Sequence, residues 1–400
     1  MKIKYFFLAG ILAASALALA QTADALFQAG KFTAAGQAYS TALAANPKDS
    51  QAHLRLGQLA LYGNRFDEAE RHLRQALAQQ SEEAAAKSAN ALLGEAFYRR
   101  DNYPEAAKFF RAAGDQAKAA ALESFKTDRP YQVEGKAAAT SLKFVLADPL
   151  PVVQAQVNGG QRVYFLIDTG GPEVVLDKNF AATLRLQSTK GGQGTLAEGK
   201  KATIEYSRIT SLQLGDFVVK NLPVNLLPLP ELGAYKLSGI LGTELLYHFL
   251  PTLDYPGGQL ILRKKSGADF RPSQRAITVP FWLAGDHFMV AWGQVNQSPQ
   301  LLFVDSGFAG GGFLCPPSTL QEAGIALAGK EGQPVSPFVV ENLALGDARG
   351  QKIDGLTGVF PPSLENQLGF RIGGLISHQF FVPYAVTFDF EKMRLILDHK

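Results

Sequence analysis

The 400-residue sequence contains one cysteine, Cys315, and no block of basic residues. A single cysteine excludes an intramolecular disulfide and any zinc site built from cysteines. The 39 lysine and arginine residues almost balance the 36 aspartate and glutamate residues, so the formal net charge is only +3. Because binding to nucleic-acid phosphates needs clustered positive charge, we expect no nucleic-acid partner.

Two sequence patterns of common hydrolases are also missing. The sequence has no His-Glu-x-x-His segment that could hold a catalytic zinc ion, and no Gly-x-Ser-x-Gly segment around a serine nucleophile. The six histidines are scattered along the chain. We therefore expect no metal, no cofactor and no serine-based chemistry.

A long apolar run occurs only at the start of the chain. A basic start at Lys2 and Lys4 precedes this run, which ends in Ala-Leu-Ala at 18–20. This pattern predicts that residues 1–20 are a signal peptide, an uncleaved anchor being the alternative. No later stretch reaches the roughly 18 apolar residues of a membrane span. We expect an exported protein, periplasmic or secreted, with no membrane span after signal removal.

Residues 21–125 are rich in alanine, leucine, glutamine and arginine, which favour helices. Apolar positions in this region repeat with a period of 34 residues: Phe32, Ala35, Tyr39, Ala42 and Leu43 recur as Phe66, Ala69, Leu73, Ala76 and Leu77. A third copy begins at Tyr103, after 37 residues, and we place the three extra residues in a polar turn at 79–87. The pattern resembles tetratricopeptide repeats, whose unit is a pair of antiparallel helices. The resemblance implies either a surface that docks a protein partner or a purely stabilising domain.

The character of the sequence changes after residue 125. Residues 126–140 contain Pro130 and several small residues and are predicted to be a linker. From residue 141 onward, short runs of valine, isoleucine, leucine and phenylalanine alternate with glycine, proline and asparagine turns. This alternation is typical of an all-β region with many hairpins.

The all-β region contains the same pattern twice. Each copy has a hairpin followed by an apolar strand, which ends in Asp-Thr-Gly at 168–170 or in Asp-Ser-Gly at 305–307. A Leu-x-Leu-Gly-Asp segment, a glycine-containing apolar segment and a final strand pair follow each triplet in the same order. Landmarks that keep their order in both copies indicate two lobes of one duplicated fold.

These motifs resemble the aspartic proteases of the pepsin and retropepsin clan, in particular bacterial retropepsin-like proteins with two lobes in one chain. The resemblance covers residues 141–400 and implies a first lobe at 141–270 and a second lobe at 271–400. The expected fold class is therefore an N-terminal α-helical, tetratricopeptide-like repeat followed by an all-β, two-lobed acid-protease fold.

The duplicated triplets suggest how such a site could work. Hydrolysis of a peptide bond without a metal or a covalent nucleophile needs one group that deprotonates water and another that protonates the carbonyl oxygen. Two carboxyls close together cannot both ionise easily, so they share one proton and provide base and acid together. We assign these roles jointly to Asp168 and Asp305. Gly170 and Gly307 allow the tight turns that aim both carboxyls at one water molecule, the alternative being two ordinary Asp-x-Gly turns.

The resemblance implies further supporting residues. Thr169 and Ser306 are expected to hydrogen-bond between the lobes and so lock the two loops together. A hydrophobic segment is expected to pack under each loop. These packing residues are Ile240, Leu241 and Gly242 in the first copy, and Leu375 and Ile376 in the second.

The sequence departs from the family pattern after each triplet and in the second packing segment. Gly171 and Phe308 stand where relatives carry serine, threonine or alanine, so a hydroxyl contact to the outer carboxylate oxygen is missing. Phe308 is also expected to crowd the second loop. In the second packing segment, either Ile376 or Ser377 replaces the glycine.

The resemblance also implies a flap, a mobile hairpin that closes over substrate. The segment 189–201 lies in the expected interval, and Gly191, Gly192 and Gly194 would give it mobility. An ordinary surface loop is the alternative. The equivalent segment of the second copy, 328–334, is shorter, so one flap per molecule is expected.

The expected function is that of an exported aspartic endopeptidase that acts on a peptide or protein substrate. The repeat domain would then dock a protein partner or the substrate. The alternative is a catalytically degenerate protein, in which the repeats and the protease fold only bind peptides or serve as a scaffold.

Overall fold

The computed structural model describes residues 22–79, 82–195, 201–265, 270–327 and 335–399. The predicted signal peptide, 1–20, lies outside these residues. The chain forms two compact units. The helical unit comprises the described residues up to Ser124 together with Ser363–Arg371, and the β unit comprises Phe125–Pro362 and the described residues from Ile372 onward.

The first part of the chain is entirely helical. The helices are α1 (22–28), α2 (Phe32–Ala45), α3 (Ser50–Tyr62), α4 (Phe66–Gln79), α5 (Glu83–Tyr98), α6 (Tyr103–Ala113) and α7 (Gln116–Glu123). Polar side chains cap three of them: Asp49, Asn102 and Asp115 each accept a hydrogen bond from the backbone N–H three residues later, at 2.9, 3.4 and 2.9 Å. Small residues allow close packing, because a Cβ atom on Gly57 would lie 2.6 Å from Cγ of Leu73 on the next helix.

The three extra residues of the second repeat lie in a helix, so their predicted place in a turn at 79–87 is wrong. Helix α3 has 13 residues, whereas the equivalent α5 has 16 and begins at Glu83. The segment from Glu83 to Lys87 reads Glu-Ala-Ala-Ala-Lys, and Lys87 Nζ lies 2.7 Å from Glu83 Oε1. Strong helix formers and an ion pair four residues apart extend the helix into this region.

The boundary of the second lobe also needs correction. Residues 363–371 were predicted within the lobe at 271–400, but they group with the helical unit. Helix α11 (Pro362–Leu368) begins this segment. Its other end carries Phe370, which is 3% exposed and packs against aromatic side chains of the first repeat.

The β unit contains 22 strands and four short helices within the described residues. The strands of its first half are β1 (Gln132–Glu134), β2 (Ala139–Lys143), β3 (Val152–Val157), β4 (Arg162–Ile167), β5 (Val175–Asp177), β6 (Thr189–Thr195), β7 (Lys201–Leu214), β8 (Phe217–Leu227), β9 (Glu231–Leu232), β10 (Tyr235–Leu241), β11 (Phe249–Asp254) and β12 (Gln259–Lys264). Those of its second half are β13 (Ile277–Pro280), β14 (Trp282–Ala284), β15 (Phe288–Val295), β16 (Ser298–Val304), β17 (Phe313–Cys315), β18 (Ser336–Leu345), β19 (Ala348–Thr357), β20 (Gly374–Ile376), β21 (Tyr384–Asp389) and β22 (Arg394–His399). The helices are α8 (Lys178–Thr183), α9 (Thr243–Leu246), α10 (Pro317–Glu322) and α12 (His378–Phe381).

The two halves form the same closed barrel. In the first lobe six strands make a hydrogen-bonded ring in the order β3, β4, β10, β5, β8 and β7. In the second lobe the ring runs β15, β16, β20, β17, β19 and β18. Each strand of one ring has its counterpart in the other, so the sequence duplication corresponds to a duplicated barrel.

A third sheet joins the lobes. Its order is β13, β22, β21, β11, β12 and β2, with three strands from each lobe. The central strands β11 and β21 are antiparallel, and Thr252 and Thr387 meet there with their hydroxyl oxygens 2.7 Å apart. This sheet makes the two barrels one compact unit.

The linker predicted at 126–140 is wrong, because this segment belongs to the β unit. Strand β1 pairs with β8, and β2 pairs with β12. Tyr131 is buried. Its ring stacks on that of His248 with the ring centroids 4.0 Å apart, and its hydroxyl donates a hydrogen bond to the Glu244 carboxylate at 3.2 Å. The strands are short and rich in small and polar residues, so their sequence does not show the alternation of a typical strand.

Within the ranges described above, no helix is both long enough and apolar enough to cross a membrane.

Candidate active site

Each of the two aspartates follows directly after a central strand of its barrel. Strand β4 ends one residue before Asp168, and β16 ends one residue before Asp305. A parallel neighbour fixes each loop: Asp168 N–H donates to the carbonyl of Leu241 at 3.1 Å, and Asp305 N–H donates to that of Ile376 at 3.0 Å. The last three residues of each strand are apolar and buried, 165–167 in β4 and 302–304 in β16, and the aspartate comes where the strand ends.

The structure brings the two carboxyl groups together. A Cβ atom on Gly170 would lie 2.3 Å from Cγ of Asp305, and one on Gly307 would lie 2.2 Å from Cγ of Asp168. Each carboxyl therefore lies directly over the glycine of the opposite loop. Only glycine leaves room for this arrangement.

Reciprocal hydrogen bonds connect the two loops. Thr169 N–H donates to Ser306 Oγ, and Ser306 N–H donates to Thr169 Oγ1, both at 3.0 Å. Each hydroxyl in turn donates to a carbonyl of the opposite lobe, Thr169 to Val304 at 3.2 Å and Ser306 to Ile167 at 3.0 Å. Both side chains are almost completely buried. The four bonds leave neither hydroxyl nor N–H unsatisfied and fix the loops relative to each other.

The pKa of each carboxyl is raised, first because the group is buried. For Asp168, the interaction with Asp305 and the N–H groups of Gly170 and Gly171 oppose the rise in pKa. For Asp305, the negative charge of Asp168 adds to burial and places the pKa well above its usual range. The surroundings thus favour a proton on Asp305 over one on Asp168, within a pair that titrates as a unit.

The two positions after the triplets behave differently. Gly171 donates its N–H to Asp168 Oδ1 at 3.2 Å, beside the N–H of Gly170 at 2.8 Å. A Cβ atom on Gly171 would meet nothing closer than Asp168 Oδ2 at 3.6 Å. The ring of Phe308 lies instead against Gly310, where a Cβ atom would be 2.4 Å from Cζ of the ring.

In each lobe the packing segment pairs with the strand that leads into the aspartate, and the register between the strands identifies the replaced glycine. Leu241 pairs with Ile167 in the first lobe, and Ile376 pairs with Val304 in the second, so Ser377 is the equivalent of Gly242. The other predicted members, Ile240 and Leu375, pair with Leu166 and Phe303.

Ser377 has an extended backbone like that of Gly242, but the two positions have different surroundings. A Cβ atom on Gly242 would lie 2.2 Å from the carbonyl oxygen of Glu173, so the first lobe has no room for a side chain there. In the second lobe the Ser377 hydroxyl donates to the carbonyl of Phe308 at 2.9 Å, and its N–H donates to that of Gly312 at 2.9 Å. The side chain thus closes the second loop through a hydrogen bond that the first lobe lacks.

The segment predicted as a flap contains a β-hairpin. Strands β6 and β7 are antiparallel, and their register shifts between Lys190 and Gln193, so Gly191 and Gly192 lie in a bulge. Gly194 pairs with Ala202 near the end of the hairpin. Residues 196–200 lie outside the described residues, as does the second-lobe segment 328–334.

Sequence reasoning missed two residues near the site. Thr243 is fully buried and donates its hydroxyl to the carbonyl of Thr169 at 3.1 Å, which supports the first loop from below. Tyr255 is 9% exposed, and burial, together with the charge of Asp305, raises the pKa of its hydroxyl above the usual range. Thr243 follows Gly242 directly, so its place in the motif was a usable signal. Nothing in the sequence around Tyr255 distinguishes it from a core tyrosine.

Cys315 takes no part in this site. It lies buried in β17, and burial raises the pKa of its thiol to about 12. The thiol is therefore protonated and unreactive at neutral pH, as expected from its apolar sequence surroundings.

Two family models match parts of the chain. Residues 153–245 match the model described as aspartyl protease, and residues 26–93 match a tetratricopeptide repeat. No curated protein is significantly similar to the chain. Among solved structures, the chain is similar to basic 7S globulin from soybean, with 11% sequence identity and a TM-score of 0.42; the match covers 67% of this chain and 95% of that chain.

The chain therefore combines a tetratricopeptide-repeat region with the two-lobed fold of the aspartic proteases. Both the resemblance inferred from the sequence and the expected fold class are confirmed. The aspartyl-protease match contains Asp168 and the first packing segment and ends before the second lobe.

Proposed function

We propose that the protein is an aspartic endopeptidase in which Asp168 and Asp305 act as one catalytic pair. The observation that carries the proposal is the position of each carboxyl over the glycine of the opposite loop, held there by the reciprocal bonds of Thr169 and Ser306. Two lobes in one chain thus supply both halves of a single site.

In the proposed reaction the pair starts with one shared proton. Asp168 is the ionised partner, because burial and its own negative charge raise the pKa of Asp305 well above the usual range. It takes a proton from a water molecule as that water attacks the peptide carbonyl. Asp305 holds the proton and donates it to the carbonyl oxygen. The tetrahedral intermediate then collapses: the proton taken by Asp168 passes to the leaving nitrogen, the C–N bond breaks, and one hydroxyl of the intermediate returns its proton to Asp305, which leaves a carboxylic acid and an amine.

The test is the rate of peptide hydrolysis by wild type, Asp168→Asn, Asp305→Asn and the double variant between pH 3 and pH 8. Loss of either carboxyl removes the base or the acid, so the two single variants and the double variant should all be at least about 10³-fold slower than wild type. The wild-type profile should be bell-shaped with an optimum on the acid side of neutral, since the pair is inactive when doubly protonated or doubly ionised.

The same assay separates the enzyme from a peptide-binding scaffold. A wild type that binds the peptide without cleaving it at any pH would favour the scaffold and overturn the proposal. A single Asn variant with full activity would overturn the paired mechanism alone. Circular dichroism of each variant provides the control for folding.

We further propose that the helical unit docks protein substrates or partners. Support comes from the repeat match at 26–93 and from the succession of paired helices. Docking outside the cleft should give an unfolded protein a KM at least about 10-fold lower than that of a short peptide containing the same cleaved bond. Equal KM values for the two substrates would contradict docking.

Export of the protein is also proposed. Its support is the basic start, the apolar run and the Ala-Leu-Ala ending at 18–20. N-terminal sequencing of the protein from its native cell should find Gln21 as the first residue in a fraction outside the cytoplasm. An intact Met1 on a cytoplasmic product would contradict this.

A further inference from the structure

The chain leaves the β unit after Pro362, contributes nine residues to the helical unit, and returns at Ile372. This excursion occurs just before the packing segment of the second lobe. Strand β20 begins at Gly374, and its residues lie beside the strand that leads into Asp305. Only a few residues of chain therefore separate the excursion from the strand that pairs beside Asp305.

Within the helical unit, Phe370 is the anchor of this excursion. Its ring packs edge-on against Phe32 with centroids 4.9 Å apart, and it also contacts Phe27 at 6.0 Å and Tyr62 at 6.2 Å. The residue is 3% exposed. These four rings, which we call the aromatic cluster, come from α1, α2, the end of α3 and the excursion. Edge-to-face packing at these distances is the favourable geometry for aromatic side chains.

Backbone contacts hold the same segment on either side of the ring. The N–H of Arg371 donates to the carbonyl of Gln28 at 2.8 Å, and the N–H of Gly369 donates to that of Glu365 at 2.8 Å. Gly369 has φ of +76°, which only glycine adopts without strain, and this turn directs Phe370 into the aromatic cluster. The anchor is thus fixed by its side chain and by its backbone.

The first residues of the chain after its return to the β unit are also held in place. Ile372 is completely buried, and the N–H of Gly373 donates to the carbonyl of Leu301 at 2.8 Å. The carbonyl of Gly373 accepts a hydrogen bond from Thr319 at 2.6 Å. Hydrogen bonds or burial therefore restrain residues along the whole stretch from Phe370 to Ile376. The carbonyl of Ile376 accepts the hydrogen bond from the N–H of Asp305.

Among the residues that the structure describes, the first lobe has no such arrangement. Its equivalent strand β10 is preceded by a local hairpin in which Tyr235 pairs with Leu232 of β9. The first packing segment is therefore held within its own barrel. The second lobe, in which Ser377 replaces the packing glycine, is the lobe whose packing segment is continuous with the helical unit.

We propose that Phe370 is a positioning residue for Asp305: insertion of its ring into the aromatic cluster restrains the chain that enters β20 and keeps the second carboxyl in register with the first. The consequence for activity rests on the proposed protease function, whereas the consequence for β20 does not.

Hydrogen exchange measured by mass spectrometry on the full chain tests this coupling without requiring activity. In Phe370→Ala, the amides at 372–377 and at Asp305 should exchange at least about 10-fold faster than in wild type. The equivalent amides at 237–242 and at Asp168 should be unchanged. Phe97→Ala is the matched control, because it removes a different buried ring of the helical unit, one that stacks on Phe109 at 5.4 Å. This control should leave both sets of amides as in wild type.

Peptide kinetics give a second readout. If Asp305 is mispositioned, Phe370→Ala should lower kcat at least about 10-fold with KM for a short peptide within about 2-fold of wild type, and Phe97→Ala should change neither. If Phe370→Ala fails to fold, Phe370→Leu, which keeps an apolar side chain, should give the same pattern with an exchange increase of about 2- to 5-fold.

Unchanged exchange at 372–377, or an equal increase in both lobes, would overturn the coupling. An inactive wild type together with lobe-specific exchange would support the coupling and refute the protease function. The two proposals therefore fail through different measurements.

Discussion

Asp168 and Asp305 differ in their surroundings, although their loops are duplicates. Asp168 accepts hydrogen bonds from the N–H groups of Gly170 and Gly171. Asp305 accepts one from Gly307 at 2.6 Å, and the N–H of Gly170 also lowers its pKa. The negative charge of Asp168 raises the pKa of Asp305 beyond the effect of burial, so the pair favours ionisation of Asp168. The assignment of base and acid follows from this difference in pKa.

Gly171→Ser should restore the hydroxyl that the family pattern places after the triplet. The new Cβ atom meets only Asp168 Oδ2 at 3.6 Å, so the side chain fits. A hydroxyl that donates to the carboxylate favours its ionised form and lowers its pKa. The acidic limb of the pH–rate profile should therefore move to lower pH, by about 0.5–1 unit.

Gly171→Ala is the matched control for that variant, since it adds the methyl group without the hydroxyl. Its acidic limb should stay at the wild-type position. An equal shift in both variants would mean that bulk at 171, and not hydrogen bonding, changes the pKa.

The raised pKa values also predict a pH-dependent stability. A carboxyl whose pKa is higher in the folded than in the unfolded state contributes fully to stability below its unfolded pKa, and the contribution is lost as pH rises through the folded pKa. Asp305→Asn removes the group with the larger rise. Its melting temperature at pH 7 should exceed that of wild type by about 2–8 °C, and the difference should vanish near pH 3.

Differential scanning calorimetry at the two pH values measures this effect. The control is Asp347→Asn, because Asp347 is an exposed aspartate of the second lobe. That variant should melt like wild type at both pH values. A lower melting temperature of Asp305→Asn at pH 7 would show that the ionised pair stabilises the fold.

At the scale of secondary-structure elements, the packing segments under the two loops are related by duplication but not interchangeable. Gly242→Ala would push a Cβ atom to 2.2 Å from a backbone oxygen, which the loop cannot avoid without moving. We expect a loss of about 1–3 kcal/mol in the free energy of unfolding and a marked loss of activity. Ser377→Ala removes one hydrogen bond, to Phe308, and should cost only about 0.5–1.5 kcal/mol.

Urea denaturation of both variants, followed by tryptophan fluorescence, gives the two free energies. The larger loss should belong to Gly242→Ala. A larger loss in Ser377→Ala would show that the second loop depends on its serine more than the first depends on its glycine.

Helices α3 and α4 share a buried histidine pair. His53 Nδ1 and His72 Nδ1 are 2.9 Å apart, His53 Nε2 lies 3.2 Å from the carbonyl of Pro47, and His72 Nε2 lies 3.0 Å from the guanidinium of Arg71. One set of neutral tautomers satisfies all three contacts: Arg71 donates to His72, His72 to His53, and His53 to Pro47. An added proton would break this chain of donors.

Burial and the charge of Arg71 lower the pKa of His72 to about 4. A basic group with a lowered pKa favours the folded state above its unfolded pKa, and that stability is lost as pH falls toward the folded pKa. Between pH 7 and pH 4, unfolding of the helices should become easier by about 1–3 kcal/mol. Far-UV circular dichroism should show this loss in wild type and in the control His399→Gln, and a smaller one in His72→Gln.

His72 contributes to stability through its neutral form. If His72→Gln lost as much stability between pH 7 and pH 4 as wild type, the acid sensitivity of the helices would have another source.

At the scale of the whole molecule, much of the architecture could be predicted from the sequence. The 34-residue period fixed the helical repeats, because one face of each helix must pack on the next. The duplicated triplets located both loops and both packing segments, since each depends on a short contiguous motif. These local patterns carry most of the information about where the carboxyls lie.

Features that depend on contacts between distant residues could not be predicted. The strands in 126–140 are identified by their pairing partners, and their own residues are small and polar. The excursion at 363–371 shows no signal of its own, because only the rings of the aromatic cluster account for the burial of Phe370. Whether Ile376 or Ser377 replaces the glycine of the second packing segment could be decided only from the register between the strands.

The central claim is that one chain supplies both halves of a single catalytic pair. Its most direct test measures peptide hydrolysis by Asp168→Asn and Asp305→Asn, each alone and mixed in equal amounts, beside wild type over a 100-fold dilution. Wild type should keep its specific activity on dilution, and the variants should be inactive both alone and mixed, since each chain carries one damaged pair. Activity recovered on mixing, or full activity in either variant alone, would contradict the claim.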